Sequence, residues 1–276
     1  MKHSILFVSV GLCSFAVGCG GAPGGASDDS GGPAWYPAQE VGDDGAADDP
    51  EDNLASVSDD LSFSNWSLQL PTGSAGNVDT LSSSQLASGK TRSPYFSKAS
   101  DGGNIFMDPQ RGFATSGSKH PRVEMHEGGT WGSSGTNTMT AQLKVTKVGN
   151  SGSVTIGQIF QNGEGTLAEL EYSGSGRLKL FYEENKGSGG SMQDLGVTVA
   201  LGTKFTYQMA LSSKKLTIQI NGKQVYSKTP SSSVQSRKFY FKYGTYDQTA
   251  TAITGGSPTT GVYTQAEFYG VSVAHK

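Results

Sequence analysis

The sequence predicts an all-β protein, an antiparallel β-sandwich of jelly-roll type with one concave face, and three observations carry that expectation. Short runs alternating apolar and polar residues recur from Leu61 onward, the pattern of strands with one buried face. Turn signals separate them: Asn221-Gly222 sits between two runs as a hairpin turn, and Ser173-Gly174-Ser175-Gly176 joins another pair. No segment sustains a helical period, although residues 80–87 have room for a turn or two.

Before the strands come two other elements. Residues 1–19 read as an export signal, with Lys2 and His3 as a polar start and residues 5–17 an apolar run too short to span a bilayer. Ala16, Val17, Gly18 and Cys19 resemble a bacterial lipobox, which makes Cys19 the expected lipidation site and membrane anchor. The resemblance implies delivery to an outer membrane if the cell is Gram-negative; ordinary signal cleavage and secretion is the alternative. The chain's two cysteines, Cys13 and Cys19, both fall here, so a disulfide scaffold and a cysteine-based zinc site are excluded. Residues 20–60 are rich in Gly, Ala, Pro, Asp and Ser and poor in large aliphatics, which predicts a disordered acidic linker carrying one idle aromatic pair, Trp35 and Tyr36.

The folded domain is expected over residues 61–276. Strands are predicted at residues 138–148, 154–161, 167–172, 178–183, 205–211, 216–220, 224–227, 239–246 and 266–274. Charge divides along the same boundary. The formal net charge of −3 hides a linker holding 11 of the 24 acidic residues and no Lys or Arg, whereas residues 61–276 carry 13 acids and 20 bases. A basic domain of this kind attracts anions.

Several chemistries are excluded. After the signal only His120, His126 and His275 remain, with no pair at metal-ligand spacing, so neither metal nor cofactor is expected. The glycine-rich stretches do not lead from strand into helix, which removes phosphate loops and nucleophile elbows. Basic and aromatic residues interleave over 237–246, yet in an exported protein nucleic acid is not an expected partner. Glu169 and Glu171 share a strand face as the paired carboxylates of jelly-roll glycoside hydrolases do, but lack an intervening aspartate and read as solvated strand charges.

Three segments fit one another better. In residues 119–127, KHPRVEMHE, the alternation puts Arg122, Glu124 and His126 on one face; in residues 157–161, GQIFQ, Gln158 and Phe160 share a face. In residues 239–248, FYFKYGTYDQ, the set is Tyr240, Lys242, Gly244, Tyr246 and Gln248. A concave sheet face bearing Arg, Glu, His, Gln, Lys and Tyr suits an anionic ligand.

These segments, RVEMH at 122–126, QIF at 158–160 and YFKYGTYDQ at 240–248, together with SLQLPTG at 67–73, resemble in order and spacing the alginate lyases of polysaccharide lyase family 7. The resemblance covers residues 61–276. It implies a metal-independent β-elimination on a uronate polymer: a base removes the proton on carbon 5, the carboxylate is neutralised, and an acid protonates the leaving glycosidic oxygen. It implies that Arg122 and Gln158 neutralise the carboxylate and Tyr246 donates to the leaving oxygen. Lys242, Glu124, Gln248 and Tyr240 then bind substrate or hold the catalytic groups. A tyrosine near Lys and Arg is expected to have a lowered pKa.

Two positions depart from the family pattern. Phe160 stands where the family has a catalytic histidine, and His126 where it has a second arginine. Either His126 supplies an imidazole from a new position, or Tyr246 acts as both base and acid. In mannuronate and glucuronate the carbon-5 proton and the leaving oxygen lie on the same side, so one residue can serve both. The expectation is therefore a monomeric lyase for an acidic polysaccharide, poly-mannuronate favoured over poly-guluronate. Glucuronan cleavage, a glycoside hydrolase and a non-catalytic lectin-like jelly roll are the alternatives.

Overall fold

The computed structural model describes residues 61–150 and 152–276. The signal 1–19 with Cys19 and the linker 20–60 lie outside the described residues. In chain order the strands are β1 (Trp66–Ser74), β2 (Asn77–Leu81), β3 (Phe96–Lys98), β4 (Asn104–Pro109), β5 (Arg111–Gly112), β6 (Val123–Glu127), β7 (Trp131–Gly132), β8 (Asn137–Lys147) and β9 (Ser153–Gln161). They continue with β10 (Gly165–Ser173), β11 (Arg177–Tyr182), β12 (Ser191–Thr198), β13 (Phe205–Ser212), β14 (Lys215–Ile220), β15 (Lys223–Lys228), β16 (Lys238–Tyr246), β17 (Thr251–Ala252) and β18 (Tyr263–His275). One sheet runs β12-β11-β10-β9-β16-β6-β1-β2, with β7 pairing the start of β16; the other runs β15-β14-β13-β8-β18-β4-β3. Both are antiparallel, and they pack as the jelly-roll sandwich the alternation predicts.

Local chemistry sets the elements. The Asn221-Gly222 turn between β14 and β15 has both residues at positive φ, +48° and +75°, as a two-residue hairpin of the right twist requires. Helix α1 (Ser83–Ala87) starts at a capping box: the Ser82 hydroxyl accepts from the Gln85 backbone N–H, and the Gln85 side chain accepts from the Ser82 N–H. Strand β12 lies where sequence alternation gave no strand, because it is an exposed, polar edge held partly by the Arg177–Asp194 ion pair.

Between the sheets, Phe106, Tyr243 and Phe268 pack ring against ring with centroids 5.0–5.8 Å apart, and Trp66 meets Tyr243 at 4.8 Å. Burial of each such side chain contributes about 1.5–3 kcal/mol. In β16 the alternation is strict: Phe239, Phe241 and Tyr243 enter this core, which turns Tyr240, Lys242 and Tyr246 to the opposite face.

The three motif segments become β6, β9 and β16, and β16 lies between the other two. Lys242 pairs with His126 on one side and Gln158 on the other, and Tyr240 pairs with Phe160. Two local features adjust this alignment. Residues 243–246 of β16 oppose only 157–155 of β9, a bulge that brings Thr155 beside Tyr246 and onto the same face as Gln158. Gly244, at φ +145°, lets β16 approach β6: a Cβ there would sit 2.3 Å from the Val123 carbonyl oxygen and 2.8 Å from Glu124 Cα.

Candidate active site

The outer face of the larger sheet forms a groove of about 550 Å³. Its floor comes from the motif strands, with Arg122, His126, Gln158, Phe160, Tyr240, Lys242, Tyr246 and Gln248 all lining it. Glu124 sits just beneath, 2% exposed, as the hub of the charges. Arg122 Nη1 donates to Glu124 Oε2 at 2.9 Å, Lys242 Nζ lies 3.4 Å from the same oxygen, and Gln158 Nε2 donates to Glu124 Oε1. Burial pushes the Glu124 carboxyl up, but Lys242, Arg122 and these hydrogen bonds outweigh it and hold the group below its ordinary value. Burial in turn pulls the Lys242 ammonium down, against the attraction of Glu124.

This cluster leaves donors uncommitted. Gln158 uses one of its two amide hydrogens on Glu124, and Arg122 Nε, buried, has no partner among the described residues. Both belong to side chains that line the groove. Gln158 keeps an amide hydrogen for an anionic oxygen in the groove, whereas Arg122 Nε is closed to solvent and Arg122 contributes its charge there.

Tyr246 lies next to them. The Arg122 guanidinium stacks 3.8 Å over its ring, and its hydroxyl is 3.4 Å from Ser118 Oγ, which also accepts from Arg122 Nη2 at 2.9 Å. Contrary to the expected lowering, the Tyr246 pKa is raised: burial of the hydroxyl outweighs the help from Arg122 and Ser118. Sequence proximity of cations revealed their attraction but not the desolvation.

Phe160 at the histidine position forms an aromatic wall. Lys242 Nζ sits 4.3 Å from its ring centroid, and Tyr240 packs against it at 5.2 Å. His126 stacks on the other side of Tyr240 at 4.3 Å, its pKa lowered by burial and then by Lys242, which keeps the imidazole neutral at neutral pH.

Among the groove residues that the motifs do not include, four polar ones contact the motif side chains. His120 packs edge-on to Tyr246 at 6.1 Å and places Nδ1 2.6 Å from the Ala250 carbonyl oxygen. That carbonyl requires the hydrogen on Nδ1, so Nε2 is the basic nitrogen. His120 and Ser118 belong to the irregular segment 115–120 that borders the groove, where no periodicity marks a residue. The others are Thr166 and Glu169. Glu169 and Glu171 are not the solvated charges expected: they are 8% and 9% exposed, and Glu169 lines the groove. Gln248 reaches it, donating from Nε2 to Glu169 Oε2 at 3.0 Å.

A family model described as alginate lyase matches residues 60–275. The chain belongs to the alginate lyase family. An alginate lyase of Klebsiella pneumoniae is 26% identical over 283 residues, covering 79% of this chain and 90% of that one. Alginate lyase A1-II', a member of polysaccharide lyase family 7, superposes with a TM-score of 0.67 at 26% identity over 82% of this chain and 98% of its own. An alginate lyase from Pseudomonas aeruginosa gives the same TM-score at 26% identity, over 78% and 99%. This alginate lyase family member is thus a polysaccharide lyase with the jelly-roll fold of that family.

Proposed function

We propose that the domain depolymerises alginate by β-elimination, preferring poly-mannuronate, with Tyr246 serving as base and then as acid. The observation that carries this reading is the pairing of Tyr246 with the stacked Arg122 on a groove floor whose histidine position is occupied by Phe160. Phenylalanine moves no proton. Tyr246 as tyrosinate takes the carbon-5 proton, an enolate-like carboxylate forms, and the resulting tyrosine returns the proton to the glycosidic oxygen as the bond to carbon 4 breaks. The residue ends in the protonation state in which it began.

The spare amide hydrogen of Gln158 and the positive charge of Arg122 suit the carboxylate of the uronate, where negative charge accumulates. Lys242 and Glu124 hold these donors in place, and Tyr240 and Gln248 flank the sugar. A polyanion is drawn to a domain with 20 bases against 13 acids. In the same proposal the domain acts outside the cell, carried by the linker 20–60 and anchored through Cys19.

The test incubates the protein with mannuronan, guluronan and glucuronan and follows the ultraviolet absorbance of the unsaturated uronate. Mannuronan should react fastest, and glucuronan, which shares its stereochemistry, should also be cleaved. Equal or faster cleavage of guluronan overturns the single-tyrosine route. Reducing ends without absorbance would mean hydrolysis and overturn the lyase reading altogether.

A further inference from the structure

The hydrogen-bond geometry around Thr166 fixes the proton on a neighbouring carboxyl. Thr166 Oγ1 lies 3.0 Å from Gln158 Oε1 and 2.7 Å from Glu169 Oε1. A hydroxyl has one hydrogen, and both neighbours are acceptors when Glu169 is ionised. Turning the Gln158 amide over does not resolve the conflict. It would set its oxygen against Glu124 Oε1, and Glu124 is an ionised carboxylate between Arg122 and Lys242. Every contact is satisfied if Glu169 is a neutral acid: its O–H donates to Thr166, Thr166 donates to Gln158 Oε1, and Gln158 donates to Glu124. The other Glu169 oxygen accepts from Gln248 at 3.0 Å and Thr155 at 3.3 Å.

We propose that Glu169 is a positioning residue that works as a neutral carboxylic acid, orienting Gln158 through Thr166 for the substrate carboxylate and releasing it when the acid ionises. The inference rests on the lyase reading above. Once Glu169 loses its proton, the Thr166 hydroxyl must turn to it, Gln158 Oε1 loses its donor, and a negative charge enters a groove meant for a polyanion. Both consequences weaken binding.

The surroundings hold the proton on well above the ordinary carboxylate range, so that it is lost around neutral pH. Burial, opposed by the Thr166 hydrogen bond and aided by the charges of Glu124 and Glu171, raises the Glu169 pKa to about 7. Across the floor, Arg122 and Lys242 favour the ionised form, while ionised Tyr246 opposes it. Glu183, Lys186 and the imidazoles of His120 and His126 line the same groove.

The decisive measurement is KM and kcat for mannuronan from pH 5 to 9, in the wild type and in Glu169→Gln. The glutamine amide can donate to Thr166 and accept from Gln248, but cannot ionise. Wild-type KM should climb above pH 7, approaching tenfold per pH unit as the competent fraction falls, and KM of Glu169→Gln should stay flat. Difference infrared spectra give a readout free of activity: a protonated-carboxyl stretch that disappears near pH 7 in the wild type and is missing in the variant. Thr166→Val should raise KM at every pH by removing the relay. A wild-type KM flat to pH 9, an unchanged slope in Glu169→Gln, or an infrared spectrum without that band overturns the proposal. Absence of unsaturated product from all three polymers is a different result and overturns the lyase reading instead.

Discussion

The Arg122 guanidinium lies 3.8 Å over the ring of Tyr246, close enough to favour a phenolate that burial otherwise suppresses. The two residues come from neighbouring segments brought together because β6 and β16 are adjacent in the sheet. Tyr246→Phe should therefore lower kcat by about 10²–10⁴-fold while leaving oligomannuronate affinity within a few-fold, as calorimetry would show. Since the pKa of Tyr246 is raised, kcat of the wild type should keep increasing into the alkaline range as tyrosinate forms. Arg122→Lys keeps a charge but loses the planar stack, so its kcat profile should move further to alkaline pH. A kcat independent of pH between 7 and 10 would remove Tyr246 as the base.

Phe160 offers a gain-of-function test. Guluronate needs a base and an acid on opposite sides of the sugar, and the second aromatic position of this groove, Phe160, can neither take nor give a proton. Phe160→His fits the space of the larger ring and places an imidazole beside Lys242, whose charge should lower its pKa and keep it neutral, free to accept a proton. Its ratio of guluronan to mannuronan cleavage should rise about tenfold or more over the wild type. An unchanged ratio would mean that the specificity resides elsewhere in the groove.

The sequence made the motif strands legible and the floor of the groove with them, because alternation along β6, β9 and β16 assigns each side chain to a face before any partner is known. Short or polar strands such as β3, β4 and β12 carried no such signal. Arg122, Gln158, Lys242 and Tyr246 line the groove together as that alternation requires. What escaped depends on contacts between elements. Glu169 reads as an ordinary strand charge until Thr166, Gln248 and the neighbouring strands enclose it. His120 sits in an irregular segment whose only link to Tyr246 is tertiary. The direction of the Tyr246 pKa shift likewise depends on how deeply the hydroxyl is buried, and no spacing of residues encodes that.

Gly244 tests how closely the motif strands must approach. At φ +145° and with the Val123 carbonyl oxygen 2.3 Å from where a Cβ would be, alanine there is strained and blocked by backbone. Gly244→Ala should destabilise the domain by about 3 kcal/mol in urea unfolding. It should also reduce activity in the fraction that remains folded, since β16 carries Lys242 and Tyr246 while β6 carries Glu124. Wild-type stability in this variant would show that the two strands can separate freely.

Glu124 and Lys242 should differ sharply when removed, although they form one ion pair. Glu124→Gln leaves Arg122 and Lys242 buried together without a counter-charge, 8% and 5% exposed, a loss of about 3–5 kcal/mol. Lys242→Met leaves Glu124 still paired with Arg122 at 2.9 Å and puts an apolar chain against Phe160 and Tyr240, so its cost should be much smaller. The acid limb separates them again. The Glu124 pKa is lowered in the fold from an ordinary 4.5, so its contribution is fully present above that value and disappears as pH falls through the folded-state value. Urea unfolding between pH 3 and 6 should show this slope in the wild type and lose the Glu124 part of it in Glu124→Gln. Lys242→Met should retain a reduced slope, because Arg122 alone still favours the carboxylate. Equal destabilisation by the two variants would contradict a cluster organised around Glu124.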